Sequence, residues 1–400
     1  MTQTFSTPKA MVEELRPEVP IHCLRPHVIR ETARRFVQAF PGNAMYAVKC
    51  NNDRRVLRAL YEGGVRHFDT ASIAEIEQIH DQFLNPNCYY MHPVKSRTAI
   101  RESYHRYGMR TFSLDHHDEL RKLREELGDL SQTTLVVRLE AVRAQAVCDL
   151  GGKFGAPNDL AADLLREVVR LGAKPGLTFH VGSQCLSPKA YLNMMRRAAD
   201  VWQQSGVDLA VLDIGGGFPV AYVGTFPPDL SEYMAAIAEG VQEIALPPTT
   251  RLMAEPGRAM VAKGYSIVVR VMLRRDNQLY LNDGSYGSLM DMKLDGIDLP
   301  IRILRPGGEA TGDLISYDLF GPTCDSVDHL PGPYWLPDDI IEGDWLEIGQ
   351  AGAYTNVLHT GFNGFGDFAS VFTEDEGFEP TLEMLPKTLR GKLVHNDADR

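Results

Sequence analysis

Cysteine is sparse and scattered in this chain, with Cys23, Cys50, Cys88, Cys148, Cys185 and Cys324 the only six in 400 residues. They form no C-x-x-C pair and no zinc-like spacing, which argues against a disulfide-stapled scaffold and a structural metal site. Long apolar runs are also missing, since none approaches the roughly 18 residues a membrane span needs. The N-terminus mixes Lys9, Glu13, Glu14 and Arg16 and lacks the apolar stretch of a secretory signal. Basic residues are in deficit, 41 Lys and Arg against 53 Asp and Glu, and the net charge of -12 makes nucleic acid a poor default partner. Internal repeats and low-complexity tracts are absent as well. These absences leave a reduced, cytoplasmic enzyme or binding protein without membrane anchor or metal as the expectation.

What is present is apolar content of 44%, enough for a large core, and a length that favours two domains or one barrel with an appendage. Residues 1–25 are polar and proline-bearing, with a short apolar stretch at Ile21 to Leu24. From about residue 26 strands and helices alternate. Strands are predicted at Met45–Lys49, His67–Asp69, Cys88–Met91, Thr111–Leu114, Leu135–Leu139, Leu177–His180, Leu209–Ile214 and Leu252–Glu255, with helices between them. Ser72 and Glu75 fit a capping box before a helix whose apolar face is Ile73, Ile76, Ile79 and Phe83. Eight such alternations indicate an α/β fold, a (β/α)8 TIM barrel, over residues 26–264. After Pro256-Gly257-Arg258 the sequence becomes strand-like and rich in turn residues, including Asn277–Asp283, Ile301–Arg305, Leu314–Leu319, Asp344–Ile348 and Asn356–Gly361. Residues 265–400, joined by 1–25, are predicted to form a second, all-β domain.

The chemically unusual residues fall at the C-terminal ends of the barrel strands, the face on which such barrels build sites. They are Lys49, Asp69, Arg138, His180, Asp213 with Gly215-Gly216-Gly217, and Glu255. A lysine there forms a Schiff base with a carbonyl if burial lowers its pKa, although a snorkelling lysine is the commoner occupant of such a position. Three glycines offer an anion-cradling nest or a plain tight turn, and they are not the dinucleotide-binding fingerprint. Glu255-Pro256-Gly257-Arg258 supplies a carboxylate and a guanidinium, where a surface ion pair is the usual fate. His180 and Ser183 supply a ring and a hydroxyl, or simply core packing. In the β domain, Cys324 is a proton donor or a small buried hydrophobe, and Asp325 and Asp328 read an ammonium or shape a turn.

The strings Tyr46–Asn51 (YAVKCN), Phe68–Ser72 (FDTAS), His180–Ser183 (HVGS), Asp213–Pro219 (DIGGGFP), Glu255–Arg258 (EPGR), Gly321–Asp325 (GPTCD) and Gly352–Thr355 (GAYT) span nearly the whole chain. Together they resemble the fold type III pyridoxal-phosphate decarboxylases of basic amino acids, the ornithine/lysine branch with an alanine racemase-like barrel. The resemblance implies pyridoxal 5'-phosphate on Lys49, Glu255 at the pyridine nitrogen, and His180 stacked on the ring. It implies a phosphate held by Ser183, Gly215, Gly216, Gly217, Arg258 and Tyr354, with Asp69 and Arg138 supporting Lys49 and the ring. It further implies that Cys324 protonates the substrate carbon, and that Asp325 and Asp295, with Tyr354, line the substrate site. Cys324 and Asp325 would come from the partner subunit of a head-to-tail homodimer. A racemase of similar fold typically places Arg where Glu255 stands, so Glu255 favours decarboxylation. Asp325 favours a diamine product over the diaminopimelate branch. Gln184, where eukaryotic ornithine enzymes usually have Gly, points to a bacterial branch that includes dual lysine/ornithine enzymes. The expected activity is conversion of L-ornithine to putrescine and CO2 in polyamine biosynthesis. Lysine, arginine or modified-ornithine decarboxylation, and an inactive cofactor-binding regulatory paralogue, are the alternatives.

Overall fold

The structure, a computed structural model, describes residues 2–141, the backbone of 146–148, and residues 152–294 and 296–390. Eight parallel strands close into a barrel in the order Val211–Asp213, Arg251–Ala254, Asn43–Ala47, His67–Thr70, Asn87–Tyr90, Thr111–Leu114, Thr134–Arg138 and Lys174–Thr178. The strands read as apolar runs because both faces are covered, inside by one another's side chains and outside by helices. Tyr46, Phe68, Phe112, Leu135, Leu177 and Leu212 are all buried accordingly. The helices present one apolar face each. In Ile73–Gln82, Ile76 and Ile79 are buried, and Ile73 and the following Phe83 pack partly on the same core. The Ser72 hydroxyl caps that helix by accepting from the Glu75 amide at 3.2 Å. The Glu75 carboxylate reaches back to the amide of Ala71, one residue before the cap.

Lys49 does not lie in a strand, contrary to the periodicity. The Asn43–Ala47 strand stops two residues earlier and Val48–Cys50 form a single 3-10 turn. The cause is a backbone partner from another loop: the Ala47 amide donates to the Pro256 carbonyl at 3.0 Å. The turn swings Lys49 over the barrel mouth, where a continued strand would have run it outward.

The second unit is a nine-stranded mixed sheet built on the long Tyr265–Arg275 strand. Ile21–Leu24 pairs antiparallel with that strand and parallel with Ala369–Thr373, so the two ends of the chain meet in one sheet. Within residues 1–25 there is also a helix, Pro8–Leu15, started by Pro8 behind a Thr7 cap. Three strands escape the composition: the two-residue Thr4–Phe5, His329–Pro337, which carries Pro331, Gly332, Pro333 and Pro337, and Ala369–Thr373. Conversely, residues 356–361 are turns and irregular chain, with the Thr360 amide bonded to the Tyr286 carbonyl at 2.9 Å. Arg25, fully buried where the Ile21–Leu24 strand hands over to the first barrel helix, ties the unit together. It donates to Glu347 at 3.0 Å, to both oxygens of Asp375 at 2.9 Å, and to Ser266 at 2.9 Å.

Candidate active site

Lys49 sits at the mouth with its amino group 2.8 Å from Asp69 Oδ2. Asp69 is the penultimate residue of the neighbouring His67–Thr70 strand and is almost wholly buried. Burial acts to lower the Lys49 pKa, as the sequence led us to expect. It is overruled foremost by the Asp69 carboxylate, which holds the amine above its ordinary value. The side chain is nonetheless 46% accessible through the open mouth, so the amine is chemically reachable.

Two more carboxyl groups, Glu255 and Asp213, are hydrogen-bonded to each other at this rim. Glu255 follows the Arg251–Ala254 strand and Asp213 ends the adjacent Val211–Asp213 strand. Burial, then the facing Asp213, then Asp69 push Glu255 well above the usual carboxylate range, with Lys49 opposing. Asp213 is also raised by burial, yet hydrogen bonds to its charged form restrain it. Those include the Thr178 hydroxyl at 2.7 Å and the Gly215 amide at 3.1 Å. Two hydrogen-bonded carboxyls need one proton between them, and this asymmetry leaves it on Glu255.

The loop after Asp213 is shaped by its glycines. Gly215 has φ +69° and a Cβ there would lie 2.1 Å from the Phe179 carbonyl. Gly217 has φ +97° and a Cβ would lie 2.3 Å from the Gly182 carbonyl. Tyr191 donates to the Gly216 carbonyl at 2.9 Å and the Cys185 amide to that of Gly217 at 2.9 Å, which pins the loop against the His180–Ser183 segment. His180 stands over the same loop, and a Cβ on Gly216 would come within 3.1 Å of its Nε2. Its Nδ1 accepts from the Gly182 amide at 3.0 Å, and burial, helped by Arg138 and Lys49, lowers its pKa to about 3. The ring is therefore neutral at any physiological pH. Arg138, which ends the Thr134–Arg138 strand, has its guanidinium 5.6 Å from the Phe154 ring.

At the far side of the mouth Arg258 opens the short Arg258–Val261 helix and is buried. Its guanidinium lies 5.2 Å from the Tyr354 ring, and Tyr354 is held at φ +55° by its amide bond to the Cys50 carbonyl at 2.9 Å. Burial raises the Tyr354 pKa, so the hydroxyl stays a donor. Glu255 and Arg258 do not pair with each other as neighbours in sequence might. Arg258 instead forks onto Asp291 at 2.7 and 3.2 Å and donates to Tyr222 at 2.9 Å.

The family model for the pyridoxal-dependent decarboxylase, pyridoxal binding domain, matches residues 27–262, all eight barrel strands. The chain belongs to the pyridoxal-dependent decarboxylases. It is 32% identical to the ornithine decarboxylase of Schizosaccharomyces pombe, over 83% of this chain and 78% of that protein. Among solved structures, the lysine/ornithine decarboxylase of Vibrio vulnificus complexed with cadaverine superposes with a TM-score of 0.79 at 31% identity, covering 92% of this chain and 97% of that one. The Paramecium bursaria Chlorella virus arginine decarboxylase superposes with a TM-score of 0.81 at 26% identity, covering 90% and 98%.

Pyridoxal 5'-phosphate is the cofactor of this family, and the residues present suit it: a reachable lysine, a glycine cradle that a Cβ would fill, a neutral ring and a protonated carboxyl. Three residues singled out in the β unit have partners of their own there. Cys324 is exposed in the turn between the Leu314–Phe320 and His329–Pro337 strands, its amide bonded to Asn363 Oδ1 at 3.1 Å. Asp325 accepts from the Tyr286 hydroxyl at 2.6 Å and from the Val327 amide. Among the described residues neither is hydrogen-bonded to Lys49, His180 or Glu255. Asp328 reads no ammonium, because its carboxylate is buried and fully used by Ser285 and Thr323 at 2.7 to 3.1 Å. Asp295 lies outside the described residues. Thr178, Tyr222 and Asp291 were missed as site residues, and Asp213, expected on the rim, was not foreseen as the partner of Glu255. Asp213 had a signal, since it leads the glycine triplet, but the others meet the site only through tertiary packing.

Proposed function

We propose that this decarboxylase acts on a basic L-amino acid, L-ornithine foremost, releasing CO2 and putrescine. The observation that carries the reading is the convergence on one barrel rim of the Lys49–Asp69 pair, the proton-sharing Glu255–Asp213 pair and neutral His180 around a glycine cradle. When bound, the cofactor supplies an electrophilic carbon for the substrate amine and a sink for the electron pair left as the carboxylate departs.

The chain's own residues do the rest. Lys49 would hold the cofactor, and Asp69 would hold the proton that the amine gains or gives up. Glu255 keeps a proton at the pyridine nitrogen, with Asp213 as its counter-base. His180 covers one ring face without adding positive charge. Ser183, the Gly215–Gly217 amides, Arg258 and Tyr354 hold the phosphate, and Arg138 borders the ring. Cys324 delivers a proton to the substrate α-carbon, while Asp325, Asp295 and Tyr354 meet the substrate. Since neither Cys324 nor Asp325 is hydrogen-bonded to Lys49, His180 or Glu255 among the described residues, a second copy would supply them, giving a homodimer with shared sites. The barrel is residues 26–264, and 1–25 with 265–400 form the β domain. Among the described residues no helix is long and apolar enough to cross a membrane, and we place the enzyme in the cytoplasm.

A second substrate reading, a dual lysine/ornithine enzyme, is favoured by the likeness to the Vibrio protein. CO2 release across ornithine, lysine, arginine and diaminopimelate separates these readings, with ornithine or lysine expected to lead. Borohydride reduction followed by peptide mapping is expected to find a pyridoxyl group on Lys49. Its absence there would sink the mechanism.

A further inference from the structure

Arg258 and Asp291 face each other as a two-pronged ion pair, Nη1 to Oδ2 at 2.7 Å and Nη2 to Oδ1 at 3.2 Å, with side chains only 4% and 5% exposed. Such a fork is the geometry by which arginine also takes a phosphate. Arg258 lies beside Tyr354, and in the role given above the two would border the cofactor phosphate. Asp291 comes from the other unit, on the short Met290–Leu294 helix. A phosphate brought to Arg258 meets a carboxylate already seated on the same two nitrogens, in surroundings too dry to screen like charges.

We propose that Asp291 competes with the cofactor phosphate for Arg258 and so restrains this enzyme's affinity for its phosphorylated cofactor. The proposal rests on the phosphate role of Arg258 given above. Its consequence is that the site discriminates pyridoxal phosphate from pyridoxal less sharply than its glycine cradle and arginine alone would provide. The β unit, through Asp291, has a direct hold on how tightly the barrel keeps its cofactor.

The test uses full-length protein stripped of cofactor, with dissociation constants for pyridoxal phosphate and for pyridoxal measured by absorbance or intrinsic fluorescence. Asp291→Asn, and Asp291→Ser should the first misfold, are expected to tighten pyridoxal phosphate by about tenfold while leaving pyridoxal within about twofold, the size expected for removing one unfavourable buried charge. The stripped variants are also expected to melt below wild type, since Arg258 loses a buried partner, and to gain more melting temperature from pyridoxal phosphate than wild type does. Unchanged or weaker binding of pyridoxal phosphate, or equal tightening of both ligands, overturns the proposal. An Arg258→Gln variant separates the two levels. If it leaves the ratio of the two constants unchanged, the phosphate role of Arg258 fails, and the competition with it.

Discussion

Lys49 and Asp69 show how a single contact reverses a residue's chemistry. Burial alone would make Lys49 a neutral nucleophile, yet the Asp69 carboxylate at 2.8 Å keeps the amine charged. If Lys49 takes a carbonyl, as proposed, its amine must first give up that proton, and Asp69 is the hydrogen-bonded group placed to receive it. Replacing Asp69 with Asn removes the charge that does most to raise the Lys49 pKa, so the titration moves toward lower pH. The expected result is a capture rate, followed by absorbance after adding pyridoxal phosphate to stripped enzyme, whose rise with pH begins at lower pH than in wild type. An unmoved profile would mean that Asp69 does not control the amine. Sequence supplied both residues and their rim, but the sign of the shift was set by a distance.

At the scale of elements, the glycine loop and the turn at Val48–Cys50 position the chemistry. Gly215 and Gly224 have similar positive φ, +69° and +77°, but a Cβ at Gly224 meets nothing within 4 Å whereas one at Gly215 meets a carbonyl at 2.1 Å. Gly224→Ala is expected to cost about 1 kcal/mol from backbone strain alone. Gly215→Ala adds an overlap that must move the Phe179–His180 chain, so a loss of about 2 kcal/mol or more is expected in denaturant unfolding. A cofactor affinity lowered at least tenfold should accompany it, by about 1.4 kcal/mol per factor of ten. Equal effects of the two substitutions would show that contact with the His180 segment is unimportant. The triplet itself was plain in the sequence, as were the eight barrel strands, because a strand covered on both faces is an unbroken apolar run. His329–Pro337 was not legible, since four Pro and Gly residues mask a strand whose pairing with Leu314–Phe320 supplies what its composition withholds.

At the scale of the molecule, the barrel carries Lys49, His180 and Glu255, while Cys324 and Asp325 stand on the β unit, Cys324 exposed to solvent. Asp328 fixes their turn: it accepts from Ser285 on one side and Thr323 on the other, and a Cβ on Gly284 or Gly321 would collide with its carboxylate. Cys324, the proposed proton donor, thus sits on a turn with partners of its own in the β unit, as the homodimer reading would have it. Mixing Lys49→Ala and Cys324→Ala subunits, each nearly inactive, is expected to restore up to about a quarter of wild-type activity. One of the two sites in each mixed dimer is then intact, and random pairing makes half the dimers mixed. No recovery, in mixtures shown by sedimentation to contain dimers, would count against a shared site.

The sequence by itself determined the barrel, the rim residues and the cofactor family, because strand–helix periodicity and short motifs are local and each records the backbone or charge its place requires. Tertiary structure alone decided which groups touch. It put Asp69 against Lys49, gave Glu255 and Asp213 one proton, and set Asp291 from a distant helix on Arg258. Such contacts join residues 20 to 42 positions apart through strand register and loop packing, so no local pattern in the chain encodes them.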